Sequence, residues 1–535
     1  MKRFGVMLDM SRNGVMKPEQ VKNFAKILKD MGYNMIQLYT EDTYEVENEP
    51  YFGYMRGRYS IAEMQDIVAY CASIGVEVVP CIQTLAHLNQ IFRWPAYGVI
   101  NDFADILLVD DPRTYEFIEN MFKTVRKCFT SKYVHIGMDE AHMLGLGKFL
   151  DKNGPQNRFE ILCRHLAKVV EIAEKYDFKP IMWSDMFFRL GNHGEYCLEE
   201  PVLSDDVIAI TPKNVGLVFW DYYHNYQKMY DCMIAAHKRF GNEIWFAGGA
   251  WTWTGFTGGN KYTLETMIPA MHSCRENNIE NILITMWGDN GKECSFYSML
   301  PSLYAVRRAY DGVTDEATIK AEFKAITGEN YDEMFALDIP NYVGGNESVC
   351  GNVSKYMLYN DLFLGLMDST VQDGVPAEFA KHAQTLAGYA KNSKNYAYLF
   401  ESASALCDVL ASKYDLGMRT RKAYQAGDKA TLKVLVNEYN VVLTKVETFY
   451  EKFSTLWHTE NKPQGFEIQD QRFGGLMLRI KACTKRLNAY ANGEIDAIPE
   501  LEEKLLDFLG GGEELNNKTT PLYNGWLWTV SPSVI

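Results

Sequence analysis

Across its first three hundred residues the chain alternates short runs of β-branched and apolar residues with longer stretches whose apolar residues recur at three- and four-residue steps. The runs are RFGVMLDM (3–10), YNMIQLYT (33–40), VEVVPCIQT (76–84), KYVHIGMDE (132–140), KPIMWSDMF (179–187), VGLVFWDYY (215–223), NEIWFAGGA (242–250) and ENILITMWGD (280–289). Between them lie amphipathic patterns such as KPEQVKNFAKILKDMG and NRFEILCRHLAKVVEIAEKY. A strand that must pair in parallel with the next needs a crossover, and a helix is the usual one. Eight such units ending near residue 311 predict a closed (β/α)8 barrel, a fold whose chemistry sits at the C-terminal ends of its strands.

After the YDG of 310–312 the strand signal fades and helical patterns take over at 376–415, 421–456, 467–493 and 497–509. The expected organisation is a catalytic barrel over 1–312 and a mostly helical domain over 313–535. The closing segment TTPLYNGWLWTVSPSVI, with Trp526, Trp528 and two prolines, is expected to be extended and packed. The loop 40–60 is long and dense in Tyr44, Tyr51, Phe52, Tyr54, Arg56, Arg58 and Tyr59, as befits a wall of a barrel mouth.

Lys plus Arg number 54 against 69 Asp plus Glu, a formal charge of −15, which leaves no basic footprint for nucleic acid or an anionic membrane. Asp9 and Arg12 interrupt the apolar run of MKRFGVMLDMSRNG, so this stretch reads neither as a signal peptide nor as a membrane span. Eleven scattered cysteines with no CxxC pair suit reduced thiols, and a cytoplasmic location is the expectation.

The strongest local feature is HIGMDEAH (135–142), which places adjacent acids Asp139 and Glu140 at the end of the fourth strand. Neighbouring carboxylates oppose each other's ionisation, so one of the two is expected to hold a proton near neutrality. Trp183, Trp220 with Tyr222, Trp251 with Trp253, and Trp287 fall at or just beyond the ends of strands five to eight. One such ring is ordinary core packing. Four strand ends together point to the walls of a sugar pocket, since flat rings match the C–H faces of pyranoses. Arg12, Glu41, Asp42, His87, Asp185, Asp221 and Asp289 lie at similar heights and offer charge-assisted hydrogen bonds to hydroxyls. The bland readings are a structural Asp9, capping roles for Asp185 and Asp221, and a satisfied buried histidine at His87.

HIGMDEAH resembles the H-x-G-x-D-E motif of family 20 glycoside hydrolases, the β-N-acetylhexosaminidases, and LDMSR, TLAHL and MWGD are similar to that family's other barrel motifs in order. The resemblance covers about residues 3–311 and is closest to the branch without an extra N-terminal domain; over 313–535 it is architectural. It implies Glu140 as general acid/base, Asp139 orienting a 2-acetamido group, Arg12 and Asp289 on sugar hydroxyls, and Trp183 and Trp287 as walls. The acetamido-binding tyrosine is expected at Tyr222, with Tyr223 as the alternative. Where the family pattern has a second glycine, this chain has Met138, which is expected to crowd the strand end. The implied activity is exo-hydrolysis, with retention, of terminal β-linked N-acetylglucosamine and N-acetylgalactosamine, the substrate's own acetamido oxygen acting as nucleophile. The implied partner is an oligosaccharide or glycoconjugate; no metal or organic cofactor is called for.

DEAH also spells a helicase box, but neither Gly-Lys pair is followed by Ser or Thr, so there is no phosphate loop. No histidine is followed by Glu, so HExxH is absent too. The alternative from another class is a sugar-binding barrel that has lost catalysis, and retention of both acids argues against it. The helical domain is expected to support a homodimer and to lend residues to the barrel mouth, the polar-aromatic stretch WHTENKPQGFE (457–467), with Lys462 and Glu467, being the reason.

Overall fold

The computed structural model describes residues 3–345, 351–506 and 526–529. Eight parallel strands close a barrel in the order of the sequence: β1 (Arg3–Asp9), β2 (Met35–Tyr39), β3 (Glu77–Cys81), β4 (Tyr133–His135), β5 (Lys179–Trp183), β6 (Gly216–Trp220), β7 (Ile244–Gly249) and β8 (Asn281–Met286). Closure runs through β1 and β8, from Arg3 opposite Asn281 to Leu8 opposite Met286. Alternate residues of each strand point inward, so Met7, Met35, Tyr39, Val79, Cys81, Ile181, Trp183, Val218, Trp245, Ala247 and Leu283 fill one interior. Tyr39 and Trp183 end their strands and are the upper layer of that filling.

Helix starts follow local chemistry. The helix α1 (Pro18–Asp30) opens on proline and buries Val21, Phe24, Ala25 and Leu28 against the barrel. In α2 (Ile61–Ser73) Ser60 and Glu63 form a reciprocal capping box. The α3 helix (Pro112–Cys128) is capped by Asp111, and α4 (Arg158–Lys175) by Asn157.

The chain divides into two compact units. One comprises residues 1–250, 263–288 and 302–322; the other comprises 251–262, 289–301 and 323–535. Two segments that follow β7 and β8 are therefore grouped in one unit with the later helices. In that second unit the helices are α5 (Val375–Asn392), α6 (Ala397–Lys413), α7 (Leu416–Gln425), α8 (Lys429–Glu460) and α9 (Glu467–Asn492).

Three details differ from the sequence reading. The pattern at 376–415 is two helices, broken at Ser393–Tyr396, and that at 421–456 begins inside α7 and restarts after Gly427, whose φ of 66° ends the first helix. Within 497–509 the helix is only Pro499–Glu502, and residues 507–509 lie outside the described residues. In the closing segment Trp526–Thr529 form a helical turn rather than an extended strand; the rest of it lies outside the described residues. Among the described residues no helix is long and apolar enough to cross a membrane.

Candidate active site

The fourth strand is much shorter than the sequence pattern suggests, and this shapes the site. Pairing stops at His135 because Gly137 (φ 71°), Met138 (φ 74°) and Glu140 (φ 50°) all adopt the left-handed conformation. Asp139 and Glu140 thus stand on a tight turn beyond the strand, not on the strand itself. Glycine is required at 137, since a Cβ there would lie 2.0 Å from the Gln83 side-chain oxygen. Met138, fully buried, holds a conformation that costs a side-chain-bearing residue energy, a local strain maintained by its surroundings.

Gln83 supplies much of that support. Its oxygen accepts the Met138 N–H at 3.2 Å, and its amide donates to Asp139 Oδ1 at 2.8 Å and to the Tyr39 hydroxyl at 3.0 Å. Tyr39 in turn donates to Glu41 Oε1 at 3.0 Å, and Arg12 pairs with Glu41 at 3.2 Å. The other Asp139 oxygen faces His87 Nε2 at 3.2 Å, and the same nitrogen lies 3.6 Å from Glu140 Oε2. His87 therefore sits between the two adjacent acids.

Asp139 and Glu140 are neighbours in sequence and opposites in setting. The Asp139 side chain is 10% exposed and that of Glu140 is 41% exposed. Burial alone would raise the Asp139 carboxyl, but the His87 cation and the hydrogen bonds from His87 and Gln83 outweigh it and hold Asp139 below the usual carboxylate range. Burial likewise disfavours charge on His87; the Asp139 carboxylate and Glu41 overcome it and push the imidazole up to about 10. Other carboxyls of the site are raised: burial pushes Glu41 and Asp42 up, and it does the same to Asp185. Asp185, fully buried at the start of the short helix Asp185–Arg189, is pushed up to about 7 by burial and by the Asp139 charge, with Arg189 opposing. It accepts the Glu140 N–H at 3.1 Å and the Arg189 Nε–H at 3.1 Å, and Arg189 reaches to 3.8 Å from Glu140 Oε1. Of the adjacent acids, Asp139 is therefore not the one that holds a proton near neutrality, because His87 and Gln83 stabilise its charge.

The aromatic residues lie in two layers, one buried in the barrel core and one half-buried above it. Trp183 is fully buried beside His135 (ring centroids 4.3 Å apart), with Trp287 at 6.1 Å. Trp287 and Trp220 are half-buried above it, Trp287 edge-on to Tyr39 at 4.8 Å and Trp220 stacked on Tyr222 at 5.2 Å. Tyr222 is buried, whereas Tyr223 is 45% exposed. Asp42 pairs with Arg56 at 3.3 Å. Asp9 accepts the N–H groups of Ser11 and Gly288, joining the ends of β1 and β8, and Asp221 accepts the Tyr223 N–H and the His224 ring at 2.7 Å, the capping roles read from the sequence.

The barrel unit brings together Arg12, Asp42, His87, Asp139, Glu140, Trp183, Trp220, Tyr222 and Trp287. Trp251 and Asp289 belong to the second unit, where Trp251 stacks on Trp253 at 4.3 Å and meets Tyr262 edge-on. In that unit the stretch 457–467 is held both internally, the Trp457 indole donating to the Lys462 carbonyl at 3.1 Å and Glu467 accepting the Gly465 N–H at 2.7 Å, and from outside, Glu460 accepting from Ser295 at 2.5 Å and Tyr398 at 3.0 Å. Gln83 and Arg189 were not anticipated. Gln83 lies only four residues before His87 in QTLAH, and Arg189 one helical turn after Asp185, so spacing alone offered a weak signal for each. Among the described residues, Cys197, Asp221 and His224 are the grouping whose atoms lie close enough to share a metal, within 4.8 Å of one another. Both Asp221 oxygens are already engaged by its own turn.

Comparison with known proteins identifies the family. The family model for the glycosyl hydrolase family 20 catalytic domain matches residues 4–231, and that for the glycoside hydrolase 20C C-terminal domain matches 332–519. Hexosaminidase D of Bos taurus is 24% identical over 211 residues, 37% of this chain and 56% of that protein. The β-hexosaminidase subunit beta of Rattus norvegicus is 22% identical over 210 residues, 34% of this chain and 38% of that protein. The chain thus spans about half the length, or less, of these curated relatives. The chitobiase of Flavobacterium johnsoniae is similar in structure at a TM-score of 0.46 and 15% identity, over 85% of this chain and 78% of that one. With a family 20 catalytic match on the barrel and a family 20 C-terminal match on the helices that follow, the chain belongs to glycoside hydrolase family 20.

Proposed function

We propose that the chain removes a terminal, non-reducing β-linked N-acetylglucosamine or N-acetylgalactosamine by exo-hydrolysis with retention. The observation that carries this reading is the unequal pair at 139 and 140: one carboxylate is buried and held anionic, and its neighbour reaches solvent on the same side of the site. Carboxylates that flank a scissile bond from opposite sides come from different strands in ordinary glycosidases, so two adjacent acids suit a substrate that brings its own nucleophile. The acetamido oxygen attacks C1 and the leaving oxygen departs, giving an oxazolinium ion. Asp139 receives the amide N–H and balances the positive charge that develops, and Glu140 delivers a proton to the leaving oxygen and then takes one from the water that opens the ring. Trp220 and Trp287 form the rim around the sugar, Tyr222 makes the contact to the acetamido carbonyl, and Trp183, fully buried and so not the wall the sequence suggested, supports Trp287 from below. Arg12 and Asp42 are assigned to hydroxyls. Hydrolysis of 4-nitrophenyl β-sugars with and without the 2-acetamido group tests the reading, with NMR of the first-formed anomer to read stereochemistry. Comparable rates on β-glucosides overturn the substrate-assisted route; binding without cleavage leaves a sugar-binding barrel.

The helical domain is proposed to support a specific homodimer. Val434 and Val441, seven residues apart on one face of α8, are 60% and 49% exposed. Light scattering that gives a single-chain mass of 61.3 kDa at micromolar concentration rejects it.

A further inference from the structure

The loop 40–60 ends in rings that the chemistry at Asp139 and Glu140 does not use. Tyr51 and Tyr54 are 46% and 44% exposed, and both approach Trp94, with centroids at 5.6 Å and 5.5 Å. Tyr51 and Tyr54 meet edge-on at 6.3 Å. Two exposed tyrosines gathered on a half-buried tryptophan are an unfavourable use of surface unless something covers them.

Its support is rigid. Phe52, fully buried between the two tyrosines in sequence, packs on Tyr44 and on Phe117, and Tyr97, three residues after Trp94, packs on the same Phe117 at 5.5 Å. Two loop tips thus share one buried anchor. Arg58 donates to the Pro50 and Phe52 carbonyls, and the backbones of Tyr44 and Tyr59 bridge at the base. Rings held this way lose little freedom when a ligand arrives.

Both loops also start at the site. The first leaves β2 through Glu41 and Asp42, and its Arg56 bonds Asp42 at 3.3 Å, the Asn13 side chain at 3.3 Å and the Ser11 carbonyl. The second leaves β3 through Gln83 and His87, the residue that faces both acids, and its Arg93 lies close enough to Asp42 to favour that carboxylate's ionised form. Glu140 is the exposed member of the pair, and His87 flanks its Oε2.

We infer that Tyr51, Tyr54 and Trp94 form a stacking platform for the second and third sugars of a β-linked oligosaccharide, on the leaving side of the bond that Glu140 protonates. The inference rests on the hydrolase reading above. It names the substrate class: a linear oligosaccharide with flat, β-linked pyranose faces, in preference to a single sugar on a small aglycone.

The test compares chitotriose with N-acetyl-β-glucosaminyl fluoride, which has no leaving sugar to stack. Loss of one ring contact of this size is about a 2- to 10-fold effect. Trp94→Ala is expected to lower the ratio of kcat/KM for chitotriose to kcat/KM for the fluoride by about that factor, mainly through KM, and Trp94→Tyr to restore most of it. Equal losses on both substrates, or none on either, overturn the platform. A binding measurement keeps its failure separate from that of the hydrolase reading. In Glu140→Gln, chitotriose should bind more tightly than N-acetylglucosamine, and Trp94→Ala added to that variant should remove the difference. If the wild-type chain cleaves no β-N-acetylhexosaminide, the hydrolase reading and the platform fall together; if it cleaves them and the affinity difference survives without Trp94, only the platform falls.

Discussion

The barrel unit and the helical unit each bury a knot of charged side chains, and the two knots are built differently. In the helical unit Glu293, 2% exposed, faces Lys355 Nζ at 2.5 Å and Arg472 at 3.0 Å, and Gln469 donates to it at 3.2 Å. Trp526 lies against both cations, 3.9 Å from the lysine nitrogen and 4.6 Å from the guanidinium. Burial pulls the Lys355 ammonium down to about 8, against the attraction of Glu293. Every charge in that knot has a partner, and of the three only Arg472, its side chain 21% exposed, reaches water. In the barrel only Asp185 is fully buried; Asp139 and His87 keep 10% and 18% of their side chains exposed, and the network ends in Glu140, whose side chain is open. Buried charge by itself therefore marks rigidity; a buried network that delivers one carboxylate to solvent marks a place for chemistry.

The largest expected effect breaks the open end of the barrel network. Glu140→Gln should lower kcat by about 10² to 10⁴ on an oligosaccharide, the usual range for a lost acid/base group. A substrate with a good leaving group needs less proton donation and should lose less. Asp139→Asn removes charge stabilisation that every substrate needs, so its loss should not depend on the leaving group. Rates on a series of substituted phenyl glycosides decide the matter, and parallel losses in the two variants would reverse or abolish the assignment.

Breaking the closed knot should act on stability instead. Glu293→Gln leaves two cations packed together, which costs about 3 to 5 kcal/mol when a buried pair loses one member. Adding Lys355→Met should recover part of it, because the charge left unpaired goes too. Denaturant unfolding reads the loss, and kcat on the folded fraction should stay within a few-fold of wild type. A collapse of kcat with unchanged stability would place Glu293 in the chemistry and remove the contrast between the knots.

Eight strands and their order were legible because the barrel interior demands alternate apolar residues on every strand, and a pattern such as VEVV or NILITM can satisfy that demand in few other ways. Asp139 and Glu140 were legible from their place at a strand end. Their turn was not: no propensity predicts that Met138 and Glu140 adopt positive φ, since tertiary contacts with Gln83 and Asp185 impose it. Nor could local sequence show which carboxyl would be raised. The Asp139 charge is favoured by His87, 52 positions away in sequence, and Asp185 is raised first by its burial and then by Asp139, 46 away, which are long-range facts of packing.

Gln83 offers a sharper test of how the barrel network keeps Asp139 ionised. Gln83→Leu deletes a hydrogen bond to a buried carboxylate, worth about 1.5 kcal/mol or slightly more, which corresponds to about one pKa unit. The Asp139 carboxyl is depressed in the folded protein, so its contribution is present above the ordinary carboxylate pKa and is lost as pH falls through the folded value. The acid limb of the kcat/KM profile should therefore move upward by about one unit, with the alkaline limb unmoved. An unchanged acid limb would mean that His87 alone holds the charge.

The smallest effect concerns Asp185, where stability and function should part. Its carboxyl is raised in the folded protein, so between about pH 4 and pH 7 the folded state keeps a proton that the unfolded chain has released. Stability from this group accordingly falls as pH rises through that window and stays low above it. Asp185→Asn retains an oxygen for the Glu140 N–H and removes the charge. The variant should be more stable than wild type at pH 8 by on the order of 1 kcal/mol, Arg189 having offset part of the original cost, and the two should converge near pH 4. Activity should fall nonetheless, because Arg189 loses the carboxylate that holds it beside Glu140. Melting temperatures at pH 4 and pH 8 supply the measurement. A variant less stable at both pH values would show that the Asp185–Arg189 pair stabilises the fold outright, and that the barrel network resembles the closed knot of the helical unit more than its open end suggests.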